Sequence, residues 1–165
     1  MTTLARPSLR LPSYDYTQPG HYYVTICTNR MLCSLAAIDE HGITLSQLGK
    51  IVERYWQEIP AHFPSVNLDA HVIMPNHLHG IIELRYIPQN NSPDLCSFRT
   101  VMTAFKGACT RTWGHLCDTS TRSIWQRSYY ERIIRNESEL LKFRTYILQN
   151  PIKWHLDKLN PSWRF

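Results

Sequence analysis

Residues 66–74 and 78–84 each alternate apolar and polar side chains, with only Pro75, Asn76 and His77 between them. A period of two sends successive side chains to opposite faces, so both runs read as strands. Pro75 would remove a ladder donor from a central strand but suits a turn, and the two runs therefore form a hairpin. The same alternation puts His77 and His79 on one face and Leu78 on the other. Two imidazoles on one strand face, about two residue rises apart, can converge on a single ion. A histidine pair at this spacing is commonplace on ordinary surfaces. It is sharper here because it starts a strand directly after a turn, where functional groups sit on a rigid scaffold, and because a tyrosine-bearing helix follows.

The hairpin register decides what surrounds the histidines. A two-residue loop sets Met74 opposite His77. A three-residue loop pairs Met74 with Leu78 and brings Asp69, His71 and Ile73 to the face of His79, Ile81 and Glu83. The second keeps each face consistent and is the expected one. It makes Asp69, His71 and Glu83 candidates to accept the outer N–H of an imidazole and orient it, the alternative being that all three are plain exposed polar residues.

Around the hairpin the chain reads as follows. Residues 1–20, with prolines at 7, 12 and 19, form an extended arm. Residues 21–28, rich in aromatic and β-branched side chains, form a central strand. Ile43, Thr44 and Leu45 add a short strand or edge. Leu48, Ile51, Val52, Tyr55 and Ile59 recur at helical spacing, and Pro60 closes that helix. Residues 86–93 are a proline-bounded loop. A second amphipathic helix starts at Asp94 or Leu95 and runs to Trp113, with Phe98, Val101, Met102, Phe105 and Cys109 on its inner face. A short strand over residues 132–135 follows. Asn136 and Glu139 then form a capping box for a helix running from Glu137 to about Asn150, where Pro151 ends it. On that helix Leu140, Phe143 and Ile147 face inward, and Tyr146 and Asn150 share a face one turn apart.

Charge is distributed unevenly. Residues 1–121 hold nine Lys/Arg against nine Asp/Glu, whereas residues 122–165 hold nine against four, so the whole excess of +5 lies in the last third. This suits a polyanionic partner as well as it suits a solvated basic surface. The five cysteines form no C-x-x-C pair and are odd in number, against both a disulfide framework and a thiolate metal site. No apolar run approaches the roughly 18 residues that span a bilayer, and the first residues carry no signal-like apolar segment. A cytoplasmic protein with no membrane partner is expected.

Three blocks carry a resemblance. Met-Pro-Asn-His-Leu-His-Gly-Ile-Ile (residues 74–82) resembles the histidine-hydrophobic-histidine motif of single-tyrosine HUH transposases, in particular the REP-associated tyrosine transposase branch. Residues 124–137, Ile-Trp-Gln-Arg-Ser-Tyr-Tyr-Glu-Arg-Ile-Ile-Arg-Asn-Glu, and residues 146–151, Tyr-Ile-Leu-Gln-Asn-Pro, are similar to the same family in the same order. The likeness spans residues 14–161. It implies Tyr146 as nucleophile and His77, His79 and Asn150 as metal ligands, although Asn150 could instead cap its helix. Tyr129 and Tyr130 are rival tyrosines in a basic segment, more economically read as packing or base-stacking groups. Two imidazoles and an amide oxygen suit Mg²⁺ or Mn²⁺, with nitrogen ligation favouring Mn²⁺.

The resemblance further implies strand cleavage and transfer on single-stranded DNA with hairpin ends, through a 5′-phosphotyrosine, by a monomer or homodimer. Arg127, Arg132, Arg135, Lys142, Arg144 and Lys153 are candidate phosphate contacts, and Trp125, Tyr129 and Tyr130 candidate base-stacking groups. A metal-dependent phosphoesterase and a non-catalytic DNA- or RNA-binding domain are the alternatives. The expected fold is α+β: a ferredoxin-like or RRM-like antiparallel sheet of four or five strands, helices on one face and the tyrosine helix near the other. One domain over residues 21–160 is expected, with a short tail at 161–165.

Overall fold

The computed structural model describes residues 14–87, 96–117 and 123–162. Most of the expected arm, most of the loop at 86–93, the proposed helix start at Asp94 or Leu95 and the end of the tail lie outside these residues. Four strands form one antiparallel sheet in the order β4-β5-β1-β6, with β1 at Gly20–Cys27, β4 at Val66–Ile73, β5 at His77–Leu84 and β6 at Tyr130–Ile134. A separate ribbon pairs β2 (Ala36–Asp39) with β3 (Gly42–Leu45). The helices are α1 (Gln47–Gln57), α2 (Ile59–His62), α3 (Phe98–Leu116) and α4 (Glu137–Gln149). This is the expected α+β architecture.

The sheet separates two cores because its alternation sends apolar groups both ways. Tyr22, Val24 and Ile26 of β1 and Leu78 and Ile82 of β5 point to one face and meet α1 and α3 through Val52, Trp56, Val101, Met102 and Phe105. Tyr23 and Ile81 point to the other and meet Leu140 and Ile147 of α4. Gly80 is dictated by the first core: a Cβ there would collide with the Trp56 indole. Pro60 does not simply end a helix. The chain leaves α1 at Gln57 and starts the short α2 with Pro60 in its first turn, where the missing N–H is harmless.

The cap of α4 differs in one detail from a capping box. Asn136 Oδ1 accepts from the Glu139 N–H at 2.9 Å, but Glu139 reaches back to the Arg135 N–H at 3.0 Å, one residue earlier than the box requires. Arg132 also donates to Glu139, which ties β6 to the start of α4.

The hairpin register differs from the expectation. The Met74 N–H donates to the His77 carbonyl at 2.8 Å, Ile73 faces Leu78 and Val72 faces His79, so the loop has two residues, Pro75 and Asn76. A β-bulge between Leu68 and His71 then shifts the pairing, with Leu68 opposite Ile82 and His71 opposite Gly80. The shorter loop prevails because the rest of the fold holds it: Leu35 N–H donates to the Pro75 carbonyl and Thr28 N–H to the Asn76 carbonyl, both at 2.9 Å.

Candidate active site

His77 and His79 are buried where β5 leaves the turn, on the sheet face covered by α4. Their Nε2 atoms lie 3.0 Å apart. Each ring is held from behind. His77 Nδ1 lies 2.8 Å from Asn76 Oδ1. His79 Nδ1 lies 2.7 Å from the Tyr23 hydroxyl and 2.8 Å from Thr25 Oγ1, groups that alternate on β1 directly beside it. Outer partners of this kind hold the rings in place and leave the two Nε2 atoms facing each other on the inner side.

Asp69, His71 and Glu83 do not take that orienting role. The bulge turns Asp69 toward α4, where it accepts three contacts from Arg144, the shortest 2.7 Å. His71 faces the other side of the sheet and meets Glu53 of α1 at 3.0 Å. Glu83 shares the face of His79 but lies at the far end of the strand, where Asn67 and Arg85 donate to it.

A carboxylate does reach the histidines, from a part of the chain without periodicity. Asp157 follows the 3-10 turn at Trp154–Leu156, and one ligand atom from each of His77, His79 and Asp157 lies within 4.8 Å of the others. Its Oδ1 accepts from the Leu159 N–H at 2.8 Å. Its Oδ2 is buried with no hydrogen-bond donor among the described residues, 3.7 Å from His77 Nε2. That distance is no hydrogen bond, nor is the pair an ion pair. Burial pushes the His77 pKa down to about 3 and, with His77 beside it, pushes His79 well below its ordinary value, so both rings are neutral. Burial likewise raises the Asp157 pKa against the pull of the Leu159 N–H.

Asn150, at the end of α4, lines the same cleft as Asp157 and Tyr146. It is both the residue that caps the helix and a buried amide whose Oδ1 has no hydrogen-bond partner among the described residues. Two buried imidazole nitrogens and a buried carboxylate oxygen that lie within 4.8 Å of one another form a donor set that suits a hard or borderline divalent cation. Asp157, Asn76, Tyr23 and Thr25 escaped the reading of the sequence as site residues. Asn76 sat inside the His-Leu-His block but was absorbed by the turn, and Asp157 had no spacing to mark it.

Tyr146 lies beside this cluster. Its ring centroid is 5.1 Å from that of His79 and 6.3 Å from that of Tyr23, and 45% of the residue remains exposed. Helical spacing explains the placement: Phe143 stacks on Tyr23 and Ile147 enters the core, leaving Tyr146 on the edge facing the histidines. Burial and the charge of Asp157 raise the phenol pKa, and a hydrogen bond from Asn150 opposes them.

Two clefts meet at the phenol. One of about 390 Å³ is lined by Tyr23, Thr25, His79, Ser128, Tyr130 and Tyr146 among others. The other, about 370 Å³, runs past Gln149, Asn150, Lys153, Asp157 and Lys158. Tyr130 is exposed at the first, which Tyr129 also lines, although Tyr129 and Trp125 are buried and packed against Phe98 and Phe105 respectively.

The basic candidates divide in two. Arg144 is engaged by Asp69 and Arg132 by Glu139. Arg127, Arg135, Lys142 and Lys153 are exposed. Lys153 bonds Gln149 at 2.6 Å, and Arg135 and Lys142 line a wide surface cleft at the start of α4.

Comparison with known proteins bears on the family and the fold. No family model matches the chain. An uncharacterised protein of Haemophilus influenzae is 36% identical over 170 residues, covering 93% of this chain and 92% of that protein. A REP-associated tyrosine transposase of Escherichia coli is 28% identical over 98 residues, covering 59% of this chain and 52% of its own length. A solved structure of a REP-associated tyrosine transposase bound to a REP hairpin superimposes with a TM-score of 0.60 at 19% identity, covering 94% of this chain and 76% of that one. At that identity it speaks to the fold. Among the described residues no helix is long and apolar enough to cross a membrane.

Proposed function

The chain belongs to one family with its Haemophilus influenzae relative and resembles the REP-associated tyrosine transposases in sequence and fold, and on that premise we propose that it cleaves and rejoins single-stranded DNA through a phosphotyrosine at Tyr146. The observation that carries the proposal is the placement of a half-exposed phenol against two neutral imidazoles whose Nε2 atoms converge.

Tyr146 is the nucleophile. Its oxygen bonds to phosphorus as the phenol gives up its proton, the P–O3′ bond breaks, and the departing oxygen takes up a proton to become a 3′-OH. The 5′-phosphate stays on the tyrosine. Because the ester keeps the phosphodiester energy, attack by another 3′-OH rejoins strands without ATP. An ordinary phenol with a pKa near 10 is a weak nucleophile, and burial and the charge of Asp157 raise this one further against a hydrogen bond from Asn150, so the metal-free fold does not by itself favour the anion.

His77, His79, Asp157 and Asn150 would hold a divalent ion, Mg²⁺ or Mn²⁺, which when bound supplies charge stabilisation at the phosphate oxygens. Burial keeps both imidazoles in the neutral form that ligation needs. Arg135, Lys142, Arg127 and Lys153 are proposed phosphate contacts, and Tyr130 a stacking surface beside the phenol. Hairpin-bearing DNA is the proposed substrate because a REP hairpin is bound in the similar solved structure. Tyr146 and the histidines come from the same chain, which suits action by a single subunit.

The test is to incubate the protein with labelled single-stranded hairpin DNA and Mn²⁺ and look for a covalent adduct that survives denaturation. The proposal expects the adduct from wild type and none from Tyr146→Phe. Cleavage without an adduct points to a phosphoesterase, and binding without cleavage to a non-catalytic module; either overturns the proposal.

A further inference from the structure

Asn76 is fully buried, and every polar group it carries beyond its N–H is engaged. Its Nδ2 donates to the Leu159 carbonyl at 2.7 Å and lies 3.4 Å from the Met31 carbonyl. Both neighbours can only accept, so the NH₂ of the amide must be on that side. Oδ1 is then the atom facing His77 Nδ1 at 2.8 Å, and as an acceptor it requires the proton of His77 to be there. His77 Nε2 consequently presents a bare lone pair to the site.

The same amide acts on Asp157. The Leu159 residue is gripped at both ends, its carbonyl by Asn76 Nδ2 and its N–H by Asp157 Oδ1 at 2.8 Å. With Oδ1 occupied in this way, the remaining oxygen, Oδ2, is left beside the His77 imidazole with no donor among the described residues. One side chain in a two-residue turn thus links a ligand on β5 to a ligand about eighty residues later in the chain.

Resting on the metal-binding reading given above, we propose that Asn76 is the positioning residue that assembles the cation site, fixing the tautomer of His77 and hooking residues 157–159 so that Asp157 faces the two histidines. It touches neither substrate nor cation. Outer groups that orient ligands are typically worth 10- to 100-fold in metal affinity, and that range sets the expectation.

The experiment measures Mn²⁺ affinity of the full chain by titration calorimetry for wild type, Asn76→Ala, Asn76→Asp, Asp157→Asn and the double variant Asn76→Asp/Asp157→Asn. Asn76→Asp keeps an oxygen for His77 Nδ1 but loses the donor to Leu159, so it isolates the hook. Both Asn76 variants are expected to weaken Mn²⁺ binding by about 10- to 100-fold, with recovery of adduct formation at raised Mn²⁺. In the Asp157→Asn background the Asn76→Asp change should add little, because its effect runs through Asp157.

Nitrogen-15 spectra of metal-free wild type should show His77 protonated at Nδ1. Should Asn76→Ala not fold, the Asp variant, the double variant and the wild-type spectrum carry the test. Unchanged Mn²⁺ affinity in the Asn76 variants, full additivity with Asp157→Asn, or a His77 proton on Nε2 overturns the proposal while the metal reading stands. If wild type itself binds no Mn²⁺, the metal reading fails and the proposal with it.

Discussion

The ring of Tyr146 lies 5.1 Å from the ring of His79 and is tilted 66° to it, joining the last long helix to the strand that leaves the hairpin turn. A phenol at 45% exposure is reachable from solvent while its helix is anchored by the fully buried Ile147 next to it. Replacing Tyr146 by Phe removes the hydroxyl and keeps the ring contact. The expected cost in stability is at most about 1 kcal/mol, with DNA binding kept and strand cleavage lost. Urea denaturation and a gel-shift assay run beside the cleavage assay check this, and a variant that still cleaves would contradict it.

Acid should weaken the metal-free protein in a defined window. The fold holds His77 neutral, its pKa pushed down to about 3 from 6.5, and holds His79 well below the same value, in both cases chiefly through burial. The unfolded chain takes up these protons near pH 6.5, so between there and about pH 3 it binds more protons than the native state. Stability is therefore independent of these groups above pH 6.5 and falls as the pH drops below it, by up to about 1.4 kcal/mol per pH unit for each ring. The urea midpoint with a chelator present should be lower at pH 5 than at pH 7.5, and less so in His77→Gln. Equal midpoints would be inconsistent with neutral buried rings.

Gly80 sits under the Trp56 indole, and any Cβ there meets the ring. Gly80→Ala should destabilise the fold by about 1–3 kcal/mol through overpacking, on the sheet face opposite the histidines. Truncating the indole in Trp56→Phe should relieve part of that cost. A double-mutant cycle by denaturant unfolding reads the coupling, and an additive pair would show that Trp56 is not what excludes the methyl group.

Arg135 and Lys142 line the cleft at the start of α4. If they contact phosphates, the double replacement by Ala should weaken DNA binding about equally across sequences and reduce the slope of log K against log salt by about one to two. A loss confined to one sequence would reassign them to base reading.

How much of this was legible beforehand follows from which signals are periodic. Alternation exposed the hairpin and put His77 and His79 on one face, and helical spacing set Tyr146 and Asn150 on one edge above Leu140 and Ile147. The register was not legible, because the loop length is fixed by bonds that Pro75 and Asn76 make to Leu35 and Thr28, far from the hairpin in sequence. That shorter loop and the bulge after it sent Asp69, His71 and Glu83 to Arg144, Glu53 and Asn67 instead of to the imidazoles. Asp157 was invisible for a related reason. It stands after a 3-10 turn with no repeat to mark it, and a tertiary contact between Leu159 and Asn76 brings its segment to the site. Trp125 and Tyr129 show the converse: aromatic residues in a basic segment look suited to stacking on bases, yet the core takes both.

The most direct measurement is to locate the covalent bond. Wild type incubated with Mn²⁺ and single-stranded hairpin DNA, denatured, treated with nuclease and digested with trypsin should yield the peptide of residues 145–153 carrying a 5′-nucleotide on Tyr146. The same mass on a peptide bearing Tyr129 or Tyr130, or cleaved DNA with no modified peptide at all, would contradict the account.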